Sequence, residues 1–108
     1  LLWQTPPSQV VSAIEDIMMY LQKVHHDSEL FLQSLLPLYG ESKINQNISF
    51  INEKLALFCR DRSISWLNFY EYFADSTGSL RLSFTTDGVH LSEEGYALWA
   101  SKLKEYCQ

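Results

Sequence analysis

The feature that most constrains the fold is the apolar run Leu30–Leu36, which lies between two segments of helical periodicity. Pro37 closes this run, and a short apolar run bounded in this way is typical of a strand buried on both faces of a parallel sheet. Ile64–Phe69 is predicted as a second strand. The helical segment between the two runs supplies the right-handed crossover that a parallel pair needs. The sequence therefore predicts an α/β fold.

Helices are predicted on both sides of the first strand. One runs from Ser8 to Val24, after a loop and cap at Thr5–Ser8, and the next follows the loop Gly40–Ser42 and ends near Asp61. Their apolar residues recur at spacings of three and four, which places them on one face of a helix. These residues are Val10, Val11, Ile14, Ile17, Met18 and Leu21 in the first helix, and Ile44, Ile48, Ile51, Leu55 and Phe58 in the second.

Composition limits the classes of partner. With 108 residues, of which 46% are hydrophobic, the chain is long enough for one domain or part of one. Its net charge of −5 argues against a nucleic-acid or anionic membrane surface, because such surfaces bind clustered basic residues. No apolar run approaches the roughly 20 residues of a membrane-spanning helix. We therefore expect no nucleic-acid partner and no membrane span.

The connection after the second strand is long. Tyr70–Leu91 spans roughly 20 residues, and loops of that length are uncommon without a functional or local structural reason. We predict a short helical turn at Tyr70–Ala74, a tight turn at Asp75–Gly78 and an extended segment at Leu80–Phe84. Ligands of open parallel sheets bind beyond the carboxyl ends of the strands, where this connection starts.

The end of this connection carries the residues that point to chemistry. Asp87 and His90 stand three residues apart, immediately before a predicted helix. A carboxylate that accepts a hydrogen bond from the Nδ1–H group of a histidine fixes the tautomer, leaves Nε2 free as a base and stabilises the imidazolium. This pair is half of a hydrolytic triad, and the other half is a nucleophile.

A tight turn explains the spacing of the pair best. Gly88 supplies the backbone freedom that such a turn requires, and Val89 is then free to point outward as a wall of the site. Ser92 is predicted as the N-cap of the following helix, with acidic residues in its first turn. Tyr96, Trp99, Leu103 and Tyr106 follow at helical spacing and predict an aromatic stripe that packs this helix.

The run Asp87–Tyr96 resembles the last sequence block of the SGNH hydrolases, also called the GDSL esterase and lipase family, in which the catalytic Asp and His stand as D-x-x-H. Two further stretches resemble the family in the same order. Gln33–Leu38 is similar to the hydrophobic strand that ends in Leu-Pro, and Ile48–Leu55 is similar to a helix with the pattern I-x-x-x-N-x-x-L. The resemblance covers nearly all of the chain.

The resemblance implies a three-layer α/β/α, flavodoxin-like fold with a parallel sheet, of which this chain is the C-terminal part. It also implies a serine ester hydrolase, similar to the acylhydrolases related to platelet-activating-factor acetylhydrolase. Asp87 and His90 would be its catalytic residues, and Val89 is a candidate substrate contact. The substrates would be small esters, or acylated carbohydrates or lipids, and the family needs neither a metal nor an organic cofactor.

The blocks of the family that carry the nucleophile and the oxyanion hole, Gly-Asp-Ser and Gly-x-Asn-Asp, do not occur in residues 1–108. We therefore expect the chain to be the C-terminal portion of a single domain, completed by the N-terminal half or by a second chain, with association as a possible oligomer. The alternative is a noncatalytic interaction or structural module that keeps the fold without a nucleophile. A cytoplasmic location is favoured, with secretion as the alternative.

Other reactive side chains have simpler interpretations. His25 and His26 fit a solvated helix end better than a metal site, because no third ligand lies at a suitable spacing. Asp87 and His90 lack further metal ligands for the same reason. Cys59 and Cys107 could pair in an exported protein, but two cysteines without a spacing signature are more often buried small hydrophobic residues. No nucleophile-presenting turn surrounds two serines, Ser34 and Ser63.

Overall fold

The computed structural model describes residues 5–106, which form helices and strands in the predicted order. The elements are α1 (Pro7–Val24), β1 (Phe31–Gln33), α2 (Ser42–Arg62), β2 (Ser65–Leu67), α3 (Tyr70–Phe73), a 3-10 turn (Leu82–Phe84) and α4 (Glu93–Tyr106). The mixed helix and strand order confirms the predicted α/β fold.

The two strands form a parallel pair, as predicted. In the register, Leu32 lies opposite Trp66, with Phe31 opposite Ser65 and Gln33 opposite Leu67. A backbone hydrogen bond from Ser34 N–H to the Leu67 carbonyl, at 2.9 Å, continues the ladder by one step. Because α2 lies between the two strands in the chain, it is the crossover connection that the parallel arrangement requires.

Both strands are shorter and less buried than the sequence predicts. Strand β1 covers three residues rather than Leu30–Leu36, and all three are half-buried rather than buried on both faces. Strand β2 likewise stops at Leu67. Among residues 5–106 each strand has one neighbouring strand, so the other edge of each makes no ladder in the described part of the chain.

Side chains of α2 bind the backbone beyond β1. The Asn52 side chain accepts a hydrogen bond from Leu35 N–H at 2.8 Å and donates one to the Leu35 carbonyl at 3.0 Å. Asn45 makes the same pair of bonds with Leu38, both at 2.7 Å. These amides satisfy the backbone groups that a longer strand would have satisfied by pairing, which explains why the strand ends early.

The described chain divides into two compact units. The first takes in residues up to Leu35 together with 46–68, and the second takes in residues 36–45 together with the chain from Phe69 onward. In the first unit α1 and α2 pack on the sheet. Its buried hydrophobic side chains are Val11, Met18, Ile48, Ile51, Leu55, Cys59, Ile64 and Leu67, joined by half-buried neighbours that include Leu32 and Trp66.

In the second unit four fully buried residues, Pro37, Phe69, Phe73 and Leu80, form the interior. The Phe84 ring packs edge-on against Phe73, with their centroids 5.5 Å apart. Helix α3 and the tight turn Asp75–Gly78 agree with the prediction, since Gly78 N–H donates to the Asp75 carbonyl at 3.1 Å. The extended segment predicted for Leu80–Phe84 is correct at Leu80, which bridges to Ala74, and at Arg81. It is wrong at Leu82–Phe84, where the chain coils into a 3-10 turn and the Phe84 ring packs on Phe73.

The ends of the first two helices lie close to their predicted positions. Helix α1 begins at Pro7, one residue before the predicted start, and its N-cap Pro6 lies within the loop and cap predicted at Thr5–Ser8. A proline at the first helical position lacks an N–H group that the helix would leave unpaired in any case. Helix α2 ends at Arg62, and Ser63 follows with a φ of 59°. Ile64 N–H then donates to the Cys59 carbonyl at 2.9 Å, which closes the helix in a Schellman motif.

The predicted stripe on α4 is partly buried: Trp99 and Leu103 are half-buried, and the Tyr106 ring packs against Phe69 with the centroids 6.0 Å apart. Tyr96 departs from the prediction because it is 56% exposed, whereas its neighbour Gly95 is buried. A Cβ atom on Gly95 would lie 2.6 Å from the Phe84 carbonyl oxygen. The helix therefore approaches the 3-10 turn through its glycine, and this close approach rotates Tyr96 toward solvent.

No helix among residues 5–106 combines the length and the apolar character that crossing a membrane requires.

Replacing Asn52 by Ala should destabilise the first unit by about 2–4 kcal/mol, because the Leu35 N–H and carbonyl both lose their partner. Asn47→Ala is the matched control on the same helix, since the Asn47 side chain is half-exposed and its loss should change the free energy of unfolding by a few tenths of a kcal/mol. Urea denaturation of both variants measures the difference. Equal midpoints would show that the Asn52 amide does not hold the chain beyond β1.

Candidate active site

The segment between the 3-10 turn and α4 forms a closed turn. Thr85 and Leu91 pair as an isolated antiparallel bridge, and Gly88 lies between them with a φ of 90°. This backbone conformation favours glycine, as the sequence predicts. Tyr39 N–H donates a hydrogen bond to the Gly88 carbonyl at 2.9 Å, which ties the turn to the segment before α2.

The turn brings Asp87 and His90 into direct contact. Asp87 Oδ2 lies 2.7 Å from His90 Nδ1. The other carboxylate oxygen, Oδ1, accepts hydrogen bonds from the backbone N–H groups of Val89 at 2.9 Å and His90 at 2.7 Å. Because an ionised carboxylate only accepts hydrogen bonds, we infer that Nδ1 carries the proton and that Nε2 has a free lone pair.

These contacts stabilise the charged form of the carboxylate. The hydrogen bond from the His90 side chain, followed by the backbone hydrogen bonds from His90 and Val89, holds the pKa of Asp87 well below its ordinary value. The carboxylate therefore stays ionised at neutral pH and can stabilise a positive charge on the imidazole.

Helix α4 starts directly after the pair and is capped as predicted. Ser92 Oγ accepts a hydrogen bond from Gly95 N–H at 3.1 Å, which is the bond that an N-cap side chain makes to the third helical residue. The same hydroxyl donates to the Ser83 carbonyl at 2.8 Å, and Ser92 N–H donates to the Phe84 carbonyl at 2.9 Å. The start of the helix is thus fixed to the 3-10 turn.

The Thr85 hydroxyl makes two hydrogen bonds that the sequence pattern does not predict. Its hydroxyl donates a hydrogen bond to the His90 carbonyl at 2.6 Å and accepts one from Gly88 N–H at 2.9 Å. A threonine two residues before an Asp-Gly turn is the sequence signal for such a contact, because Thr hydroxyls bond to nearby backbone groups in turns.

Val89 lies at the outer surface of the turn, 49% exposed. This position agrees with the outward orientation that the turn predicts. Its contact with a substrate remains a prediction.

The serines considered as alternative nucleophiles have structural positions. Ser34 is buried, at 2% exposure, and its N–H extends the β ladder. Ser63 is the left-handed residue that terminates α2. Each position is explained by the local backbone.

No group of three or more metal-ligating side chains occurs within residues 5–106. His25 is the C-cap of α1, where its N–H donates to the Leu21 carbonyl at 2.7 Å. His26 and Asp27 lie 3.5 Å apart, both on the surface. The histidine pair is thus found at an exposed helix end, as expected.

Cys59 is a free, buried thiol in the core of the first unit, and burial raises its pKa. A buried thiol with a raised pKa is a poor nucleophile, so a packing role fits. The other cysteine, Cys107, lies outside the described residues.

Comparison with known proteins gives matches to solved structures. No protein-family model matches the chain, and no curated protein sequence matches it significantly. A structure from Streptococcus pneumonia whose name refers to a platelet activating factor is similar with a TM-score of 0.85 at 23% identity, over 97% of this chain and 53% of that chain.

Two further structures carry the names of ester hydrolases. The esterase domain of the ORF1 protein from the zebrafish ZfL2-1 retrotransposon has a TM-score of 0.77 at 16% identity, over 94% of this chain and 58% of that one. A GDSL-like lipase from Bacteroides thetaiotaomicron has a TM-score of 0.72 at 19% identity, over 88% of this chain and 51% of that one.

The chain thus spans about half the length of the solved structures that it matches. At identities below 25% the likeness is evidence of a shared fold, and it confirms at that level the resemblance found in the sequence blocks. The chain shares the α/β fold of these structures, one of which is named as a GDSL-like lipase, over about half of their length.

Proposed function

We propose that this chain is the C-terminal portion of a serine ester hydrolase domain and that Asp87 and His90 are two members of its Ser-His-Asp triad. The 2.7 Å contact between Asp87 Oδ2 and His90 Nδ1 is the observation that carries the proposal. It is the arrangement that orients an imidazole as a general base. The shared fold with proteins named as an esterase domain and a GDSL-like lipase supports it.

In the proposed reaction, His90 Nε2 removes the proton from a serine hydroxyl as the serine oxygen attacks the acyl carbonyl of an ester. The tetrahedral intermediate collapses when the imidazolium donates its proton to the leaving alcohol, which leaves an acyl-enzyme. Water, deprotonated by His90, then attacks the acyl group; the second tetrahedral intermediate expels the serine oxygen, which takes the proton back from the imidazolium, so that the carboxylic acid is released and the free serine is regenerated. Asp87 holds the imidazole and stabilises its positive charge in both halves of the cycle.

The matched structures contain a further half that does not align with this chain. In this proposal, that half of the domain supplies the serine and the oxyanion-hole donors. Whether this half belongs to the same polypeptide or to a second chain, it would also supply strands beside the two-stranded sheet, whose outer edges have no partner within residues 5–106. Unpaired strand edges favour association with another segment. The proposal therefore includes a complementary half or an oligomer.

We propose small esters, or acylated carbohydrates or lipids, as substrates. The support is the family resemblance of the sequence blocks, together with an exposed apolar side chain, Val89, next to the base. In this proposal Val89 forms part of the wall that contacts the substrate.

Replacing His90 by Ala in the complete protein should lower kcat/KM for an aryl ester by about 10⁴-fold or more, because the base is lost. Asp87→Asn should cost less, since an imidazole remains although its tautomer is wrong. In serine proteases the corresponding Asn change costs about 10⁴-fold in kcat. His26→Ala removes an exposed histidine at the end of α1 and is the matched control.

Circular dichroism should verify that each variant is folded. If folded His90→Ala keeps the activity of the His26→Ala control, His90 is not the base. Absence of ester hydrolysis in the unmodified complete protein would favour the noncatalytic module instead.

The pH dependence should separate the two triad members. Since the pKa of Asp87 is lowered, its carboxylate stays ionised as the pH falls through the range in which imidazoles titrate, near 6.5. Activity lost between pH 8 and 5 should therefore follow protonation of the base. The ionised Asp87 carboxylate stabilises the folded turn at pH values above the ordinary aspartate pKa. This stabilisation is lost only as the pH falls through the lowered pKa of Asp87.

Two titrations check these statements. The kcat/KM profile of the complete protein should fall on the acid side of neutrality, and a flat profile from pH 5 to 8 would contradict the assignment. The ¹³C resonance of the Asp87 carboxyl group should titrate below the usual aspartate range of about 3.9. In His90→Ala this midpoint should move upward, because the His90 side chain is the largest cause of the shift.

A further inference from the structure

The Asp87–His90 pair lies on the surface of the described chain, where packing holds it weakly. The His90 side chain is 74% exposed and the Asp87 side chain 50%. Core side chains are oriented by the many neighbours that they touch, but a pair with this much exposure depends on its hydrogen bonds. The positions of these two side chains are therefore set by the backbone of the turn.

The backbone of His90 is bound on both of its polar sides. Its N–H donates to Asp87 Oδ1 at 2.7 Å, and its carbonyl accepts from Thr85 Oγ1 at 2.6 Å. The first bond comes from the partner of the imidazole itself. The second comes from Thr85, five positions earlier, whose hydroxyl also binds the backbone at Gly88.

The Thr85 hydroxyl spans the turn. A hydroxyl has one donor, which is used on the His90 carbonyl, and it also accepts from Gly88 N–H at 2.9 Å. Gly88 is the left-handed residue between Asp87 and His90. One side chain thus fixes the middle and the end of the segment that carries the pair.

The backbone conformation and the burial of Thr85 favour these two hydrogen bonds. Its backbone is extended, with φ of −142° and ψ of 152°, and it pairs with Leu91 in the bridge that closes the turn. Thr85 is half-buried, whereas its neighbour Thr86 is exposed. Water therefore competes less for the Thr85 hydroxyl than for the Thr86 hydroxyl.

We propose that Thr85 is a positioning residue of the active site: its hydroxyl, by bridging Gly88 N–H and the His90 carbonyl, sets the orientation of the His90 imidazole toward Asp87 and the substrate. This inference rests on the proposed hydrolase function for its effect on turnover, but its effect on the Asp87–His90 contact is independent of that function. A misplacement of about 1 Å in a catalytic group can cost about 100-fold in rate.

The test compares three variants of the complete protein. Thr85→Val removes the hydroxyl and keeps the branched shape, Thr85→Ser keeps the hydroxyl, and Thr86→Val makes the same change at the exposed neighbour. Each variant is measured for kcat and KM on an aryl ester. The Asp87 carboxyl titration and the low-field proton resonance of His90 Nδ1–H are followed by NMR.

Thr85→Val should lower kcat about tenfold or more with KM changed less than about twofold, because Thr85 positions the base without touching substrate. Its Asp87 carboxyl should titrate at higher pH, and its Nδ1–H resonance should broaden or move upfield. Thr85→Ser should restore both the rate and the NMR signals. Thr86→Val should match the unmodified protein in every measurement.

The results distinguish the positioning role of Thr85 from the proposed catalytic role of His90. If Thr85→Val shifts the Asp87 titration and leaves kcat unchanged, Thr85 positions the pair and the proposed catalytic role of His90 is wrong. If folded Thr85→Val changes neither the titration nor kcat, the positioning role is wrong.

If Thr85→Val does not fold, amide hydrogen exchange in the unmodified protein provides a second test. In the unmodified protein the Gly88 amide should exchange with solvent more slowly than the Thr86 amide, because the Thr85 hydroxyl binds it. Equal exchange rates would overturn the inference.

Discussion

The hydrogen bonds of the Asp87 carboxylate are the interaction on which the candidate site depends. Oδ2 holds the imidazole of His90 at 2.7 Å, while Oδ1 accepts from the backbone of Val89 and His90. One side chain therefore fixes both the fold of the turn and the tautomer of the base. Because the same bonds lower the pKa of Asp87, the charge that makes them strong persists at the pH at which a histidine base operates.

The surrounding structure fixes this turn through backbone contacts more than through apolar packing. Asn45 binds both backbone groups of Leu38, and the next residue, Tyr39, donates its N–H to the Gly88 carbonyl. At the other end, Ser92 caps α4 and bonds to the 3-10 turn. The exposed Asp87–His90 pair thus has a geometry that hydrogen bonds define.

Sequence patterns predicted the elements whose cause is local. The periodicity of α1 and α2 gave their extents closely, and Gly88 between Asp87 and His90 predicted the turn. The strands ended early because Asn side chains seventeen and seven residues away bind the backbone beyond β1. The exposed side of α4 depends on the close approach of Gly95 to a carbonyl oxygen. Contacts of this kind join separate parts of the chain, and the spacing of apolar residues carries no information about them. The bridging hydroxyl of Thr85 escaped prediction for a similar reason, since its partners depend on how the turn closes.

We propose that His90 serves as the base for a serine that lies outside residues 1–108. The most direct test is to treat the complete protein with an alkyl fluorophosphonate, map the labelled residue by mass spectrometry and determine the structure of the adduct. We expect one labelled serine outside these residues, with its Oγ within about 3 Å of His90 Nε2, and no labelling in His90→Ala. Labelling of a serine within residues 1–108, or ester hydrolysis that persists in a protein without any labelled serine, would contradict this proposal.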